Sequence, residues 1–331
     1  MTLRFNQIAE ANLRNHNPLT AQQLILLGEI CGFEEKQRVL DLAVGKGEAL
    51  VQWSREFGVV GVGVEANEDY VQAAQDRAYR MDVGNTTNFV VGEAADYPED
   101  HHEFDYVSYL GSAWLGDTFA ARVSKMRQAL NPKDGFLLIG ETYWRQLPTV
   151  AACDVLGVSQ DTFLTLADLD GQARSAHVEL VEMVLPNPQQ IDRYEAQQWL
   201  AVNQFLHENP DDRDAVDLKR WMNANRQLYL EAGRDYLGWG VFVLRPAGTI
   251  RSKPQSAHRL PDHPIAVDID PEMIWVSLHD GRIIGNPLAW YPVLLDLDEA
   301  TLQAVELRAT SIQWPSIGVS ISIKQMLRGR G

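Results

Sequence analysis

Two carboxylates and two glycines near the start of the chain have the spacing of a small-molecule binding site. Asp41 lies at the end of one apolar run, Gly45 and Gly47 follow in a short loop, and Glu65 ends the next apolar run. Glycines let the backbone approach a ligand where a Cβ would collide. A carboxylate at the end of the second strand can accept hydrogen bonds from both hydroxyls of a ribose. The spacing predicts half of a βαβ unit that binds a ligand containing a ribose.

The same loop helps to separate two classes of ligand. A dinucleotide-binding loop reads G-x-G-x-x-G and places the pyrophosphate over a helix N-terminus, but here Leu50 stands in place of the third glycine. Asp41 would repel a pyrophosphate and suits a ligand with no phosphate and with a cationic end. The loop resembles motif I of the class I S-adenosylmethionine-dependent methyltransferases, D-x-G-x-G-x-G, with Ala43 in place of the first glycine. That resemblance implies S-adenosylmethionine as the cofactor.

The segments around this loop alternate between helices and apolar strands, as expected of a parallel sheet covered on both faces. Residues 5–31 read as two helices, with Thr20 as the N-cap of the second; they either close over the cofactor or pack on the sheet edge. The resemblance places Glu93 and Ala94 at the family's G-D-A position, which contacts the adenine. The cofactor-binding residues that it implies are Asp41, Ala43, Gly45, Gly47, Glu65, Ala66, Glu93, Ala94 and Gly111.

The final segments of this part of the chain distinguish two folds. Residues 178–184 and 238–244 read as strands. Class I methyltransferases end with such a pair, the last strand being antiparallel and inserted, whereas dinucleotide-binding Rossmann folds lack it. Residues 189–235, between the two strands, are mostly helical and are expected to form a lid over the strand ends. The expected fold is α/β: a Rossmann-like seven-stranded methyltransferase sheet with a helical insertion, followed by a small α+β domain.

Two motifs resemble a bacterial methyltransferase subgroup in which the fifth strand ends G-E-P-Y-W and the insertion carries W-D-x-Y-E. Here residues 140–144 read G-E-T-Y-W and residues 191–195 read I-D-R-Y-E. Thr142 replaces the proline, and this replacement is expected to relax a kink after the strand. Methyl transfer needs an acceptor held in line with the methyl carbon and, where required, removal of a proton. Glu141 or Glu195 is a candidate base or ligand for a cationic amine. The predicted catalytic residues are Glu141, Tyr143, Asp192, Tyr194 and Glu195.

Three tryptophans are candidates for the walls of an acceptor pocket. Trp114, Trp144 and Trp199 could meet a cation with the faces of their rings. Tryptophans in a chain of this size are more often part of the core. Acids on an inserted helix more often form a solvated face. Both interpretations stay open for these tryptophans and for the acids of the insertion.

Composition limits the partners of the chain. With 331 residues, 45% of them hydrophobic, and a net charge of -16, we expect two domains and neither a nucleic acid nor an anionic membrane as the main partner. The distant Cys31 and Cys153 indicate neither a disulfide framework nor a zinc ribbon. We expect no metal at residues 101–103, because the neighbouring side chains His-His-Glu point apart. Since residues 1–10 show no signal pattern and no apolar run is long enough to span a membrane, we expect a cytoplasmic protein.

The composition changes after residue 245. We expect a methyltransferase domain at 1–248, a linker at 249–262 and a small α+β domain at 263–331. Asp280-Gly281 is the strongest hairpin signal of the chain. The small domain resembles the domain-of-unknown-function family numbered 2442, through residues 280–282, 287–292 and 312–315.

The leading hypothesis is transfer of a methyl group from S-adenosylmethionine to a small-molecule acceptor. The alternative is an S-adenosylmethionine-binding regulatory protein that acts through its C-terminal domain, which would then bind a protein partner or a second copy of the chain. Ala43 in the loop and the appended domain favour this alternative. A nicotinamide-dependent reductase is disfavoured by Asp41 and by the missing third glycine.

Overall fold

The structure is a computed structural model. It describes residues 2–97, 102–111, 115–133, 135–248, 263–278, 281–295, 297–308 and 310–328. The chain divides into two compact units, Met1–Ile250 and Arg251–Gly331, and each is described by itself. The predictions for Trp114, for Asp280 and for the linker at 249–262 lie outside the described residues.

The first unit is built on one sheet. Its strands are β1 Arg38–Leu42, β2 Val60–Glu65, β3 Thr87–Val91, β4 Tyr106–Tyr109, β5 Phe136–Trp144, the two-residue β6 Leu164–Thr165, β7 Val178–Val184 and β8 Leu237–Pro246. The order is β3-β2-β1-β4-β5-β8-β7, and β6 pairs with β5. Strands β1 to β5 are parallel, whereas β8 is antiparallel to both of its neighbours. The predicted Rossmann-like seven-stranded sheet, with its last strand antiparallel and inserted, is confirmed.

Helices cover both faces of this sheet. The helices of this unit outside the insertion are α1 Thr2–Ala9, α2 Ala21–Cys31, α3 Glu48–Phe57, α4 Glu68–Arg80, α5 Phe119–Ala129, α6 Val150–Leu156 and α7 Leu166–Ser175. Adjacent residues of a strand point to opposite faces, so Val39 joins one core with Trp53 of α3, and Leu40 joins the other with Met126 of α5. The two cores fix the direction of β1 and therefore the position of the loop that follows it.

Helix α2 begins where the sequence predicts. The Thr20 hydroxyl accepts a hydrogen bond from the Gln23 amide at 3.2 Å, and the Gln23 side chain accepts from the Thr20 amide at 3.0 Å. This reciprocal pair is a capping box. Gly32 ends the helix in the left-handed region with φ of 66°. The predicted N-cap at Thr20 is confirmed.

The helical insertion lies between β7 and β8. It consists of α8 Pro188–Glu208, α9 Ala215–Leu228, one turn of π-helix at Tyr229–Gly233 and the short α10 Arg234–Tyr236. Phe5 and Ala9 of α1 form a small core with Val202 of α8 and with Leu218 and Met222 of α9. The N-terminal helix is therefore packed on the insertion.

The second unit has its own core. Its elements are β9 Pro264–Ile269, β10 Met273–Leu278, β11 Ile283–Pro287, α11 Pro292–Leu295, α12 Glu299–Gln303, β12 Glu306–Leu307, β13 Ser311–Trp314, β14 Val319–Ser322 and α13 Ile323–Arg328. The strands form two three-stranded antiparallel sheets, and Trp314 is fully buried between apolar neighbours such as Ile312 and Leu294. The predicted small α+β domain is confirmed. In either unit, none of the described helices combines the length and the apolar character needed to span a membrane.

Candidate functional site

The loop between β1 and α3 has a strained, compact backbone. Ala43, Gly45 and Gly47 have φ angles of 57°, 57° and 72°, a left-handed conformation that glycine adopts readily and alanine does not. The Gly45 amide donates to Glu65 Oε2 at 3.0 Å, and the Asn67 amide donates to Glu65 Oε1 at 3.0 Å. Both bonds hold the Glu65 carboxylate at the end of β2, and each oxygen keeps a lone pair for a further donor.

Two glycines of the predicted cofactor set are also required by packing. A Cβ on Gly111 would lie 2.9 Å from the carbonyl oxygen of Ala43. A Cβ on Gly47 would lie 2.8 Å from the Cβ of Ala74 in α4 and 3.0 Å from the Phe89 ring in β3. Gly111 thus lets the loops after β1 and β4 meet, and Gly47 lets α3 begin against its neighbours.

Asp41 is a buried carboxylate, with 2% of its surface exposed. Ser108, which lies opposite Asp41 on β4, donates to Asp41 Oδ1 at 2.8 Å. Burial raises the pKa of Asp41 to about 7; the Ser108 hydrogen bond opposes this rise, and the negative charge of Glu65 adds to it. A cation beside Asp41 would favour its ionised form and lower that pKa.

Three residues of the predicted cofactor set, Ala66, Glu93 and Ala94, follow β2 and β3 at the same edge of the sheet. Ala94 is buried, whereas Glu93 and Ala66 are exposed. The Gly92 amide donates to the carbonyl of Glu65 at 3.0 Å, which joins the two loops. Because β1 to β4 are parallel, the structure brings the whole predicted cofactor set to their carboxyl ends.

Residues 10–19, here called the cap segment, are attached to the loop by Lys46. The Lys46 ammonium donates to the carbonyl oxygens of Glu10, Ala11 and Leu13 at 2.8, 3.0 and 3.0 Å. Lys46 also lies 5.4 Å from the centre of the Tyr70 ring. Sequence reasoning missed this role, because the lysine was read only as the residue between two glycines.

The cap segment also supplies a half-buried histidine that sequence reasoning missed. A Cβ on Gly45 would lie 3.0 Å from His16 Nδ1, and the His16 ring meets the Tyr70 ring edge-on at 4.7 Å between centroids. Burial, with the charges of Lys46 and Arg77, lowers the pKa of His16 to about 4, so the ring is neutral. Its buried Nε2 has no hydrogen-bond partner within the described part of the chain. A polar ligand atom beside the loop would satisfy it.

Two of the predicted catalytic carboxylates are already paired. Glu141 Oε1 lies 2.6 Å from Arg122 Nε, and burial raises the pKa of Glu141 while Arg122 lowers it. Asp192 accepts two hydrogen bonds from Arg234, at 2.9 and 3.1 Å, and one from the Tyr229 hydroxyl at 2.7 Å. These bonds lower the pKa of Asp192. Asp192 is thus committed to holding the end of the insertion in place.

The two predicted catalytic tyrosines differ in their surroundings. Tyr143 is buried in β5 and pairs with Gly238 of β8. The Tyr194 hydroxyl on α8 donates to the backbone carbonyl of His16 at 3.0 Å, which links the insertion to the cap segment. Thr142 pairs with Trp239, so β5 continues without interruption through the position of the family's proline.

Glu195 lines a cavity of about 420 Å³ within the insertion. The cavity lies between α8, α9, the π-turn and the start of β8, and it is lined by Tyr194, Glu195, Gln198, Trp199, Trp221 and Tyr229, among others. Glu195 makes no hydrogen bond or ion pair with any described residue. Burial raises its pKa to about 7. The cavity therefore combines an unpaired acid with aromatic walls.

The two described tryptophans of the possible aromatic wall differ in their surroundings. Trp199 lines the cavity and meets the Tyr229 ring at 6.0 Å between centroids. Trp144 is 2% exposed, donates its indole N–H to the carbonyl of Gln160 at 2.8 Å and packs on Phe163, so it belongs to the core. Trp221 and Tyr229 complete the wall, and sequence reasoning missed both.

Comparisons with known proteins agree with this architecture. Residues 39–133 match the family described as "Methyltransferase domain", and residues 264–331 match "Protein of unknown function (DUF2442)". The chain is 36% identical over 243 residues to the uncharacterized protein YjhP of Escherichia coli (strain K12), covering 73% of this chain and 97% of YjhP. A crystal structure of a SAM-dependent methyltransferase from Geobacter sulfurreducens in complex with S-adenosyl-L-homocysteine is 35% identical, with a TM-score of 0.69, and the match covers 73% of this chain and 98% of that one. The chain belongs to the S-adenosylmethionine-dependent methyltransferases. The corresponding complex from Thiobacillus denitrificans is 34% identical, with a TM-score of 0.69 and coverage of 73% and 98%.

S-adenosylmethionine is the cofactor of this methyltransferase, and the residues at the sheet edge fit it. Glu65 keeps acceptors for two ribose hydroxyls, and Asp41 is a buried acid that a cationic group would keep ionised. The Nε2 atom of His16, which has no partner among the described residues, is available for one further polar contact. When bound, the cofactor supplies an activated methyl group on a sulfonium. The protein then has only to bind it, position an acceptor and manage one proton.

Proposed function

We propose that this methyltransferase acts on a small-molecule acceptor that binds in the cavity of the helical insertion. The observation that carries the proposal is the cavity itself. Its volume of about 420 Å³ lies within the range of small-molecule sites, roughly 300–1,000 Å³. Such a volume suits a compact metabolite and not a folded macromolecule.

The position of the cavity supports this assignment. Leu237 lines the cavity and pairs with Trp144 at the carboxyl end of β5. The predicted cofactor residues follow β1 to β4, which run parallel to β5. The cavity and the cofactor loops therefore lie at the same edge of the sheet, where α/β folds bind their ligands.

We assign the predicted site residues to separate tasks. Asp41, Glu65, the backbone around Ala43, Gly45 and Gly47, and the loops that contain Ala66, Glu93, Ala94 and Gly111 hold the cofactor. Tyr194 and Glu195 line the cavity and face the acceptor, whereas Tyr143 is not part of that lining and its catalytic role stays a prediction. Glu141 and Asp192 act as positioning residues through their partners Arg122 and Arg234. Holding the acceptor close to the methyl group in the reactive orientation then provides most of the rate acceleration.

Calorimetric titration tests the cofactor half of the proposal. S-adenosylmethionine and S-adenosylhomocysteine are expected to bind with micromolar affinity, and NADH is expected not to bind. An assay of S-adenosylhomocysteine formation with small amines, thiols and alcohols then tests turnover. Turnover with none of these, despite cofactor binding, would contradict the enzymatic proposal and favour the regulatory alternative.

A substitution that fills the cavity tests the part of the proposal that concerns the acceptor. Asn225 and Asn223 are both exposed on α9, but only Asn225 is part of the cavity lining. Asn225→Trp should abolish turnover and leave S-adenosylhomocysteine affinity unchanged, and the matched Asn223→Trp should change neither. Undiminished turnover in Asn225→Trp would place the acceptor elsewhere.

We infer that the C-terminal unit folds independently, because its described residues enclose a core of their own around Trp314. The linker at 249–262 and the domains at 1–248 and 263–331 remain predictions. Expression of 263–331 alone, followed by thermal unfolding, tests them. A cooperative transition is expected, and an unfolded product would contradict the division.

A further inference from the structure

We propose that the acceptor is a cationic amine, held in the cavity of the insertion with its ammonium group against Glu195. The inference rests on the proposed function and deepens it by naming the acceptor class. Of the three predicted catalytic carboxylates, Glu141 is paired with Arg122 and Asp192 with Arg234. Glu195 has no such partner among the described residues, although it lines the cavity.

An unpaired carboxylate in partly buried surroundings is unfavourable unless a ligand compensates its negative charge. Removal of a carboxylate from water disfavours its charged form, and burial raises the pKa of Glu195 to about 7. An ammonium group in the cavity would restore the ionised form. The complementary charge must come from the ligand, because no described Lys, Arg or His lines this cavity.

The aromatic walls favour the same class of ligand. Trp199, Trp221 and Tyr229 line the cavity together with Glu195. Aromatic ring faces attract an ammonium or alkylammonium group, and the attraction is larger when the site is desolvated. A neutral alcohol or thiol would gain little from these rings beyond apolar contact.

The π-turn at Tyr229–Gly233 holds one wall in an irregular position. Insertion of an extra residue into a helix is costly, and such turns are frequent at functional sites. Here the turn places both Tyr229 and Gly233 on the cavity lining. The Tyr229 hydroxyl is fixed by its 2.7 Å hydrogen bond to Asp192. The ring is therefore preorganised to receive a ligand.

The geometry gives Glu195 two successive roles. As a carboxylate it binds the ammonium group and then accepts a proton from it, which leaves a neutral amine. The nitrogen lone pair forms the new N–C bond while the methyl C–S bond breaks, and sulfur keeps the electron pair of that bond. Glu195 returns its proton to water after the product leaves. Once the cavity is empty, the pKa of about 7 lets Glu195 release this proton at neutral pH.

Binding of a minimal cation tests the proposal on the full chain. Tetramethylammonium chloride and the neutral, similarly sized tert-butanol are titrated into protein saturated with S-adenosylhomocysteine, and tryptophan fluorescence is recorded. The wild-type protein should bind tetramethylammonium saturably and tert-butanol at least tenfold more weakly. Glu195→Gln should weaken the binding of the cation at least tenfold, about 1.4 kcal/mol. Glu208→Gln, an exposed change on the same helix, should leave it unchanged.

The pH dependence of cation binding gives a second test, and this test needs no variant. The other titratable groups of the lining are Tyr194 on α8 and Tyr229 on the π-turn, and burial raises the pKa of both tyrosines. Helices α6 and α9 and strand β8 contribute only uncharged residues to the lining. Cation affinity should therefore follow the ionisation of Glu195 and rise about fifty-fold between pH 5 and pH 7.

The outcomes separate this inference from the proposed function. No saturable binding of tetramethylammonium, equal affinity in Glu195→Gln, or equal binding of tert-butanol would overturn the amine assignment while cofactor binding remains intact. Failure to bind S-adenosylhomocysteine would instead overturn the assignment of the cofactor site. Affinity of Glu195→Gln for S-adenosylhomocysteine equal to that of the wild type confirms that the variant is folded.

Discussion

Replacement of Asp41 by asparagine should stabilise the free protein and weaken its binding of the cofactor. Burial raises the pKa of Asp41 from 3.8 to about 7. An acid whose pKa is raised on folding is protonated in the native state at pH values where it is ionised in the unfolded chain. Its contribution to stability is therefore lost as pH rises from about 3.8 to about 7. The full difference corresponds to roughly 4 kcal/mol.

Asparagine has nearly the same shape as aspartate and does not titrate. Its amide oxygen can accept the hydrogen bond from Ser108 that Asp41 Oδ1 accepts at 2.8 Å. The gain in the free energy of unfolding should therefore be small at pH 4, grow through pH 6 and reach about 4 kcal/mol at pH 8. Affinity for S-adenosylmethionine should fall at least tenfold, because the site loses its buried negative charge.

Urea unfolding without cofactor, at pH 4, 6 and 8, measures the stability, and calorimetry at pH 8 measures the affinity. Asp76→Asn serves as the control, since Asp76 is exposed on α4. A gain that is the same at all three pH values would refute the reasoning, as would a loss of stability at pH 8. Either result would mean that ionisation of Asp41 costs the native state little.

Three further substitutions test other parts of the site. Glu65→Ala should lower S-adenosylhomocysteine affinity ten- to a hundredfold, roughly 1.5 to 3 kcal/mol, by calorimetry; unchanged affinity would refute its role in ribose binding. Lys46→Met should speed amide hydrogen exchange in residues 10–19, because it removes three hydrogen bonds to that segment; unchanged exchange would show that the segment is held by other contacts. Gly111→Ala should lower the free energy of unfolding by about 1–3 kcal/mol, whereas Gly84→Ala, whose Cβ would meet nothing within 4 Å, should not. Equal stability of the two glycine variants would mean that the loops after β1 and β4 can separate at little cost.

Much of the fold could be predicted because its determinants are local. Thr20 followed by Gln23 is enough to specify the start of α2, since a capping box involves only four consecutive residues. Apolar runs mark β1 to β5 because both faces of a parallel sheet are buried. The position of β8 between β5 and β7 came from family resemblance, since antiparallel insertion depends on contacts between segments far apart in sequence.

The parts of the site that sequence reasoning missed depend on distant contacts. Ser108 reaches Asp41 across 67 residues, and no local pattern indicates such a pair. His16 lies in Asn-His-Asn-Pro, which reads only as a break between helices. The sequence left both interpretations open for Trp144, because an indole suits a pocket wall and also a core in which its N–H finds a carbonyl, here that of Gln160. The π-turn has no sequence signature at all.

The insertion starts after β7 and ends at β8, two strands that lie side by side in the sheet. An evolving lineage can therefore replace the whole stretch and alter acceptor choice while residues 41–111, which carry the predicted cofactor set, stay as they are. The link from Tyr194 to the cap segment uses the backbone carbonyl of His16, which every residue type possesses. A grafted insertion needs only one well-placed donor to recover that link, so chimeras between relatives are a practical route to new acceptor specificity.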